Sequence, residues 1–471
     1  MRKKKNYRYH NVFYTREKNM LRKIDKKLYH QIFVITLPII IQNLLSAAVN
    51  SADVIMLNYV GQSALSAGAL ATQYSSVAFM IFFGIGTGVT MLCAQYWGKG
   101  DLSAIHKVEG IAMRFSLGIS ALFTMATLCF PEQLMRIFTN DSELIALGVT
   151  YLRIVSASFM LWSITEVYLA VLKSAGHVTI STIINGAALS TNVVLNAVFI
   201  FGLAGLPKMG IAGVALATTI SRALALILCI IVSARSKDVK ITLRTIFESH
   251  PELLKDFMTM SLPAVLNDVS WSVGFSMYSV ILGHLGSDVV AANSIVSVVR
   301  NLGSVFCFAI GSASGIILGQ ILGENRIEDA KKAGNTLLFL SVVAGIAGGI
   351  CVLIATPFIV DVAKLTSTAK EYLHFMLLIN TYYITGGAVN TTLIAGVFRA
   401  GGDSRFGCIC DTIDMWAYAV PLGFIAAFVF KLPVQVVYFL LCTDEFVKWP
   451  WVLKHYRSYK WARNITRDVI Q

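Results

Sequence analysis

The chain has 471 residues, 56% of them hydrophobic and only 14% charged, and its mean hydropathy is +0.68. This composition excludes a soluble globular domain and requires an integral membrane protein. The formal net charge of +13 sits at the flanks of apolar segments rather than on one polar face, which argues against nucleic acid as a partner.

Taken in chain order, residues 1–29 form a basic tail. Apolar segments are then predicted at 30–57, 66–96, 110–130, 147–172, 178–203 and 209–233. After a polar linker at 234–255, six more follow at 256–283, 289–321, 334–356, 370–398, 406–430 and 433–454, and residues 455–471 form a second tail. Each is close to the about 20 residues that cross about 30 Å of hydrocarbon, and none keeps the period-2 alternation of a membrane barrel. The expected fold class is an all-α membrane protein with twelve transmembrane helices, divided into an N-lobe (30–233) and a C-lobe (256–454).

The two tails and alternate loops (1–30, 97–114, 173–177, 234–255, 323–333, 399–405 and 448–471) hold 31 Lys and Arg residues, and the opposite loops hold five. Positively charged loops stay inside, so both termini are expected in the cytoplasm of a multi-pass cell-membrane protein. The linker 234–255 is basic and mildly amphipathic, as a segment lying on that surface would be. All eight cysteines lie in or beside apolar segments, and Cys408 and Cys410 lack a second ligand pair, so neither a zinc site nor a disulfide framework is expected.

The chain repeats itself at an offset of 225 to 226 residues. Leu37-Pro38 answers Leu262-Pro263, opening the first and seventh helices. YVGQSALSAGALA (59–71) answers HLGSDVVAANSIV (284–296), GKGDLSAIHKVEG (98–110) answers GENRIEDAKKAGN (323–335), and LKSAG (172–176) answers FRAGG (398–402). Six helices per unit is an even number, so both units enter the membrane in the same direction as a parallel repeat. Small-residue ladders, Gly84-Gly88 in the second helix and Gly311-Gly315-Gly319 in the eighth, permit close helix approach, either as ordinary packing or as a seam between halves.

Within the first helix, Asn43, Ser46, Asn50 and Asp53 share one face. A carboxylate at that depth costs about 2.5 to 3.5 kcal/mol on insertion scales and reads by default as functional. Asn185, Asn192 and Asn196 line one face of the fifth helix, with Thr218 on the sixth and Glu166 on the fourth. Carboxylate, amide and hydroxyl oxygens suit a hard cation, and a dehydrated carboxylate can instead hold a proton. The bland alternative is that Asp53 only bonds across helices while the amides hold the bundle together.

The second half is not a copy. The offset carries Asp53 onto Tyr278, while its seventh helix has Asn267, Asp268 and Trp271, its eighth has Asn293, Ser297, Arg300, Asn301 and Ser304, and its eleventh has Asp411 and Asp414. For Asp411 and Asp414, an ion pair with Arg399 or Arg405 stands beside a transport role. Arg300 is a candidate to neutralise a carboxylate of this half, and His284 reads as an interfacial residue.

With LPIIIQNLLSAAVNSADVIML, the loops WGKGD and LGEN, NVVLNAVFIFG, AGVALATTIS and VFRAGGDS in this order, the sequence resembles the multidrug and toxic compound extrusion (MATE) family over about residues 30–460. The resemblance implies two six-helix lobes around a central V-shaped cavity and cation-coupled efflux of organic, often cationic, compounds. It also implies an N-lobe ion site at Asp53 with Asn192 and Thr218; Asn50 and Asn196 lie on the same polar faces. No cofactor is implied beyond H+ or Na+ as coupling ion, and the partners are a small-molecule substrate and membrane lipid, with the chain a monomer. Three positions depart from the pattern. Asn196 stands where many members have a second aspartate, and Trp271 near where the sodium-coupled branch has a glutamate, so no C-lobe sodium site is carried over. Lys173 and His177 stand where R-x-x-G-D-T-type residues are more usual. Two other functions compete with the antiporter: a lipid-linked oligosaccharide or polysaccharide flippase of the same layout, and a membrane-embedded lipid enzyme for which only Asp411 and Asp414 supply a carboxylate pair.

Overall fold

The structure, a computed structural model, describes residues 28–49, 51–53, 56, 57 and 59–467, without the side chains of Ala204 and Leu243. Numbering only the membrane-crossing helices, the first six are α1 (Leu28–Asp53), α2 (Gln62–Lys99), α3 (Leu102–Cys129), α4 (Ser142–Ser174), α5 (Val178–Phe201) and α6 (Gly210–Arg235). The second six are α7 (Pro251–Gly283), α8 (Ser287–Gly323), α9 (Ile327–Val362), α10 (Ser367–Asn390, continued through Thr391–Phe398), α11 (Ser404–Val429) and α12 (Val434–Leu441, continued through Trp449–Arg457). Nine of these, among the described residues, are long and apolar enough to cross a membrane by composition alone. The other three, α7, α10 and α12, belong to the second lobe, and α12 carries three of its buried charges, Asp444, Glu445 and Lys448.

Several helices run beyond their apolar stretches because capping, not hydropathy, ends them. The α2–α3 turn shows how: Gly100 takes a left-handed φ of 79° and Asp101 caps α3 by accepting from the Ala104 N–H at 2.9 Å. At the equivalent turn Asn325 takes the left-handed position, φ 60°. Asn tolerates that region better than other side chains. The loops before α2 and α8 repeat likewise, with Gly61 at φ 137° and Gly286 at φ 126°, a region that side-chain-bearing residues avoid. Pro263 lies well inside α7, and Pro38 inside α1. Neither opens its helix, correcting the reading of the repeated Leu-Pro pair.

The lobes meet along α2, α7 and α8, beside the start of α1 and residues 463–465. Gly84 and Gly88 on α2 lie against Val265 and Ser261 of α7, Gly98 against the Gln320 carbonyl, and Gly323 against the Gln95 carbonyl. A Cβ at any of these would overlap its neighbour, so this contact depends on glycine. Gly319 also crosses to Ala94, whereas Gly311 and Gly315 pack on Thr391 and Gly396 within the second half. One ladder is thus a seam, and the other is divided between seam and ordinary packing.

Polar bonds reinforce the seam. The Gln95 amide donates to the Ala400 carbonyl at 2.7 Å and its oxygen accepts from the Ile465 N–H at 2.8 Å. Gln320 donates to the Ser174 carbonyl at 2.8 Å. The start of α1 crosses over too, burying Ile32, Ile35 and Ile39 in a cluster with Ile316, Ile317 and Phe398 of the second half. The linker docks on the first lobe: Arg114 of α3 donates to the Ile246 carbonyl at 2.7 Å and to that of Glu248 at 2.5 Å, and Val239 is fully buried.

Candidate functional site

In the first lobe the residues of three helices form one continuous chain of hydrogen bonds. Asn196 of α5 donates to Asp53 at the end of α1 at 2.6 Å and to Asn192, one turn earlier on its own helix, at 3.2 Å. Asn192 in turn donates to the Thr218 hydroxyl of α6 at 3.4 Å. Asn192 and Asn196 are buried, and the Asn196 carbonyl oxygen accepts from no group among the described residues. Four of the five residues picked out in the first lobe therefore converge; the fifth, Asn50, lies outside the described residues. Ser46 spends its hydroxyl on the Gln42 carbonyl of its own helix. The assembly offers one carboxylate, two amides and one hydroxyl, and Asp53 is its only formal charge.

The second lobe is built differently. Lys448 of α12 extends its ammonium into the bundle, 3.1 Å from Asp411, 3.6 Å from Asp414 and 3.3 Å from Glu445. Asn267 of α7 donates to Asp411 at 3.1 Å, and Asn390 of α10 donates to the Glu445 carboxylate at 2.5 Å. Beside it, fully buried Asp444 accepts from the Tyr278 hydroxyl at 3.2 Å and from Tyr383 at 3.4 Å. Three carboxylates thus surround one ammonium, with Asp444 as a fourth nearby. Backbone geometry contributes, because wide π-type turns run over Thr391–Phe398 and Asp414–Ala419, and each such turn shifts the following side chains around the helix axis.

This arrangement corrects the sequence reading at several positions. Asp411 and Asp414 pair with neither Arg399 nor Arg405; Arg399 is committed to Asp268, at 2.7 Å. Lys448 and Arg399 were counted with the loop charges, yet both are buried, each 4% exposed. Asn267, Asp411 and Asp414 come together, Asp268 is diverted to Arg399, and Trp271 packs at a tilt against Phe275 with ring centroids 4.3 Å apart. Arg300 neutralises no carboxylate among the described residues; its guanidinium lies over the Phe275 ring at 5.0 Å. Sequence reasoning missed Asp444, Glu445 and Lys448. The signal was present in CTDEFVK, whose acids lie three and four residues before the lysine on one helical face.

The sequence profile of the MatE family matches residues 38–198 and 263–425. The chain belongs to the MatE family. The two matched stretches start 225 residues apart, the same step as the sequence repeat, and MatE members are membrane transporters, not enzymes. Relatives include an uncharacterized transporter YisQ of Bacillus subtilis, 22% identical over 92% of this chain and 95% of that protein. A probable multidrug resistance protein NorM of Thermotoga maritima is 23% identical over 97% of this chain and 99% of its own length. Among solved structures, an outward-facing multidrug resistance MATE family transporter superposes with a TM-score of 0.82 at 20% identity, covering 91% of this chain and 96% of that one. The MatE fold accordingly holds for this chain across sequences that have diverged at four positions in five.

Proposed function

We propose that the protein is a secondary antiporter that exports organic compounds, cationic or amphiphilic, in exchange for H+ or Na+. Its lobes alternate access to a central cavity about the glycine seam. The observation that carries this reading is the hydrogen-bonded chain from Asp53 through Asn196 and Asn192 to Thr218, a set of hard oxygen donors around a single carboxylate. Relatives named as multidrug resistance proteins, such as MdtK of Pectobacterium atrosepticum, 24% identical over 83% of this chain, support the substrate class. Efflux of a fluorescent organic cation from proteoliposomes, with sodium and proton gradients imposed separately, tests it. Export driven by neither gradient would remove the antiport reading.

The ion chemistry follows from Asn196. Because Asp53 is the only carboxylate in the hydrogen-bonded set with Asn196, Asn192 and Thr218, one Na+ or one proton neutralises it, whereas both together would bury a net positive charge at a cost. Lowering the pH should therefore weaken Na+ binding, and Asn196→Asp should relieve the competition by adding a second carboxylate. Calorimetric sodium titrations at several pH values check this; pH-independent binding would move the ion away from Asp53.

Orientation is testable on its own. Single cysteines introduced in residues 1–30, 234–255 and 455–471 should react with an impermeant maleimide only from the cytoplasmic side. Labelling of any of them from outside, in sealed cells, would reverse the topology.

A further inference from the structure

Arg300 has no carboxylate partner among the described residues. Asp268 is taken by Arg399; Asp411, Asp414 and Glu445 by Lys448; and Asp444 by two tyrosine hydroxyls. Arg300, part-way along α8, makes neither an ion pair nor a hydrogen bond among the described residues, and its guanidinium lies over the face of Phe275. A cation at membrane depth is ordinarily paired or faces a polar cavity. Here the cavity exists: a space of about 280 Å³ between α7, α8 and α12, lined by Arg300, Asn293, Ser272, Ser276 and Tyr438 among others.

The donors in this cavity are unspent. Asn293 and the Ser272 hydroxyl, like Arg300, donate no hydrogen bond among the described residues, whereas Ser276 donates to the Ser272 carbonyl at 3.0 Å. Three donor groups, one of them a planar cationic fork, therefore open on one small space. Phe275, under the guanidinium, is itself packed at a tilt against Trp271 and, at 5.2 Å, Tyr278. At this volume the cavity is smaller than a site for a whole drug-sized molecule, but it suits one functional group.

We propose that this cavity is a subsite for an anionic oxygen group, a carboxylate or phosphate, held by the Arg300 fork with Asn293 and Ser272 as neutral donors. This rests on the reading of the chain as an exporter of organic compounds, and it extends the substrate class to molecules carrying an acid group. The group comes either from the exported compound or from a lipid head, and the two are separable by experiment.

The test is binding of rhodamine B and of its ethyl ester, which differ only in a free carboxylate, to the full chain in nanodiscs, read by fluorescence anisotropy. Arg300→Gln should weaken rhodamine B by about tenfold, the worth of one charge-assisted hydrogen bond, and leave the ester unchanged. Arg300→Lys, which keeps the charge without the fork, should lose less. The ester serves as the control for folding in every variant. Replacing phosphatidylcholine by phosphatidylglycerol distinguishes the sources: competition with rhodamine B in the parent protein, absent in Arg300→Gln, assigns the site to a lipid phosphate, and indifference to lipid assigns it to the substrate. Equal losses for both dyes, or no loss for either, would overturn the subsite while leaving export intact. Failure of the parent protein to bind either dye would remove the export reading and the subsite together.

Discussion

Asp53→Asn should abolish ion-coupled export while the protein still folds and inserts. The substitution keeps the size and planarity of the side chain, and the Asn196 amide, which donates to Asp53 at 2.6 Å, still finds a carbonyl oxygen to donate to. What disappears is the single formal charge of a hydrogen-bonded chain whose other members are two amides and a hydroxyl. Without it a proton has nowhere to reside, and a sodium ion meets only neutral oxygens, too weak to draw it out of water. For a neutral substrate, moving one charge down a membrane potential supplies about 2.3 kcal/mol per 100 mV, so losing the coupled ion there costs about a 50-fold accumulation ratio at 100 mV. The comparison is made in proteoliposomes under both gradients, with thermal unfolding of the same preparation showing that the variant is intact. Undiminished export by Asp53→Asn would mean that Asp53 is only a helix-to-helix bond.

The second large effect is on stability. Lys448→Met keeps the length of the side chain but leaves Asp411, Asp414 and Glu445 around a neutral thioether. Breaking a buried ion pair from one side typically costs about 3 to 5 kcal/mol, because the remaining charge keeps its desolvation penalty and loses its compensation. Here three carboxylates within 3.6 Å of the ammonium lose it together. The variant should therefore unfold well below the parent protein in detergent and accumulate poorly in membranes. Removing charge on the other side should restore much of the loss, so Lys448→Met combined with Asp411→Asn and Glu445→Gln should recover most of the melting temperature. A melting temperature for Lys448→Met within a degree of the parent protein would show that the ammonium is dispensable to the cluster.

Local physics explains what was legible beforehand. Twenty apolar residues in a row have few fates other than crossing a membrane, so the helices were readable from hydropathy, though not their ends, which caps such as Asp101 decide. Residues at helical spacing share a face whatever the helix packs against, so Asp53, Asn192 and Asn196 could be recognised as inward candidates before their bonds were known. Repeated landmarks disclosed the two lobes, because equivalent turns need equivalent residues, as Gly61 and Gly286 illustrate.

Pairings between distant residues obey no such local rule. Asp268 and Arg399 are 131 residues apart, and no pattern in either helix names the other. Lys448 is the clearest case: it precedes Trp449-Pro450 and a basic tail, the usual marks of a helix end, and on charge counting it belongs with the loops. Tertiary packing reverses that assignment, since the buried carboxylates of α11 and α12 offer the ammonium a better environment than the membrane surface does. Sequence by itself determined the class, the duplication and the polar faces, because hydropathy and helical periodicity act over a few turns. The tertiary structure alone decided which charges meet, which glycines form the seam and that Arg300 meets no carboxylate among the described residues, because those depend on the distance between helices far apart in the chain.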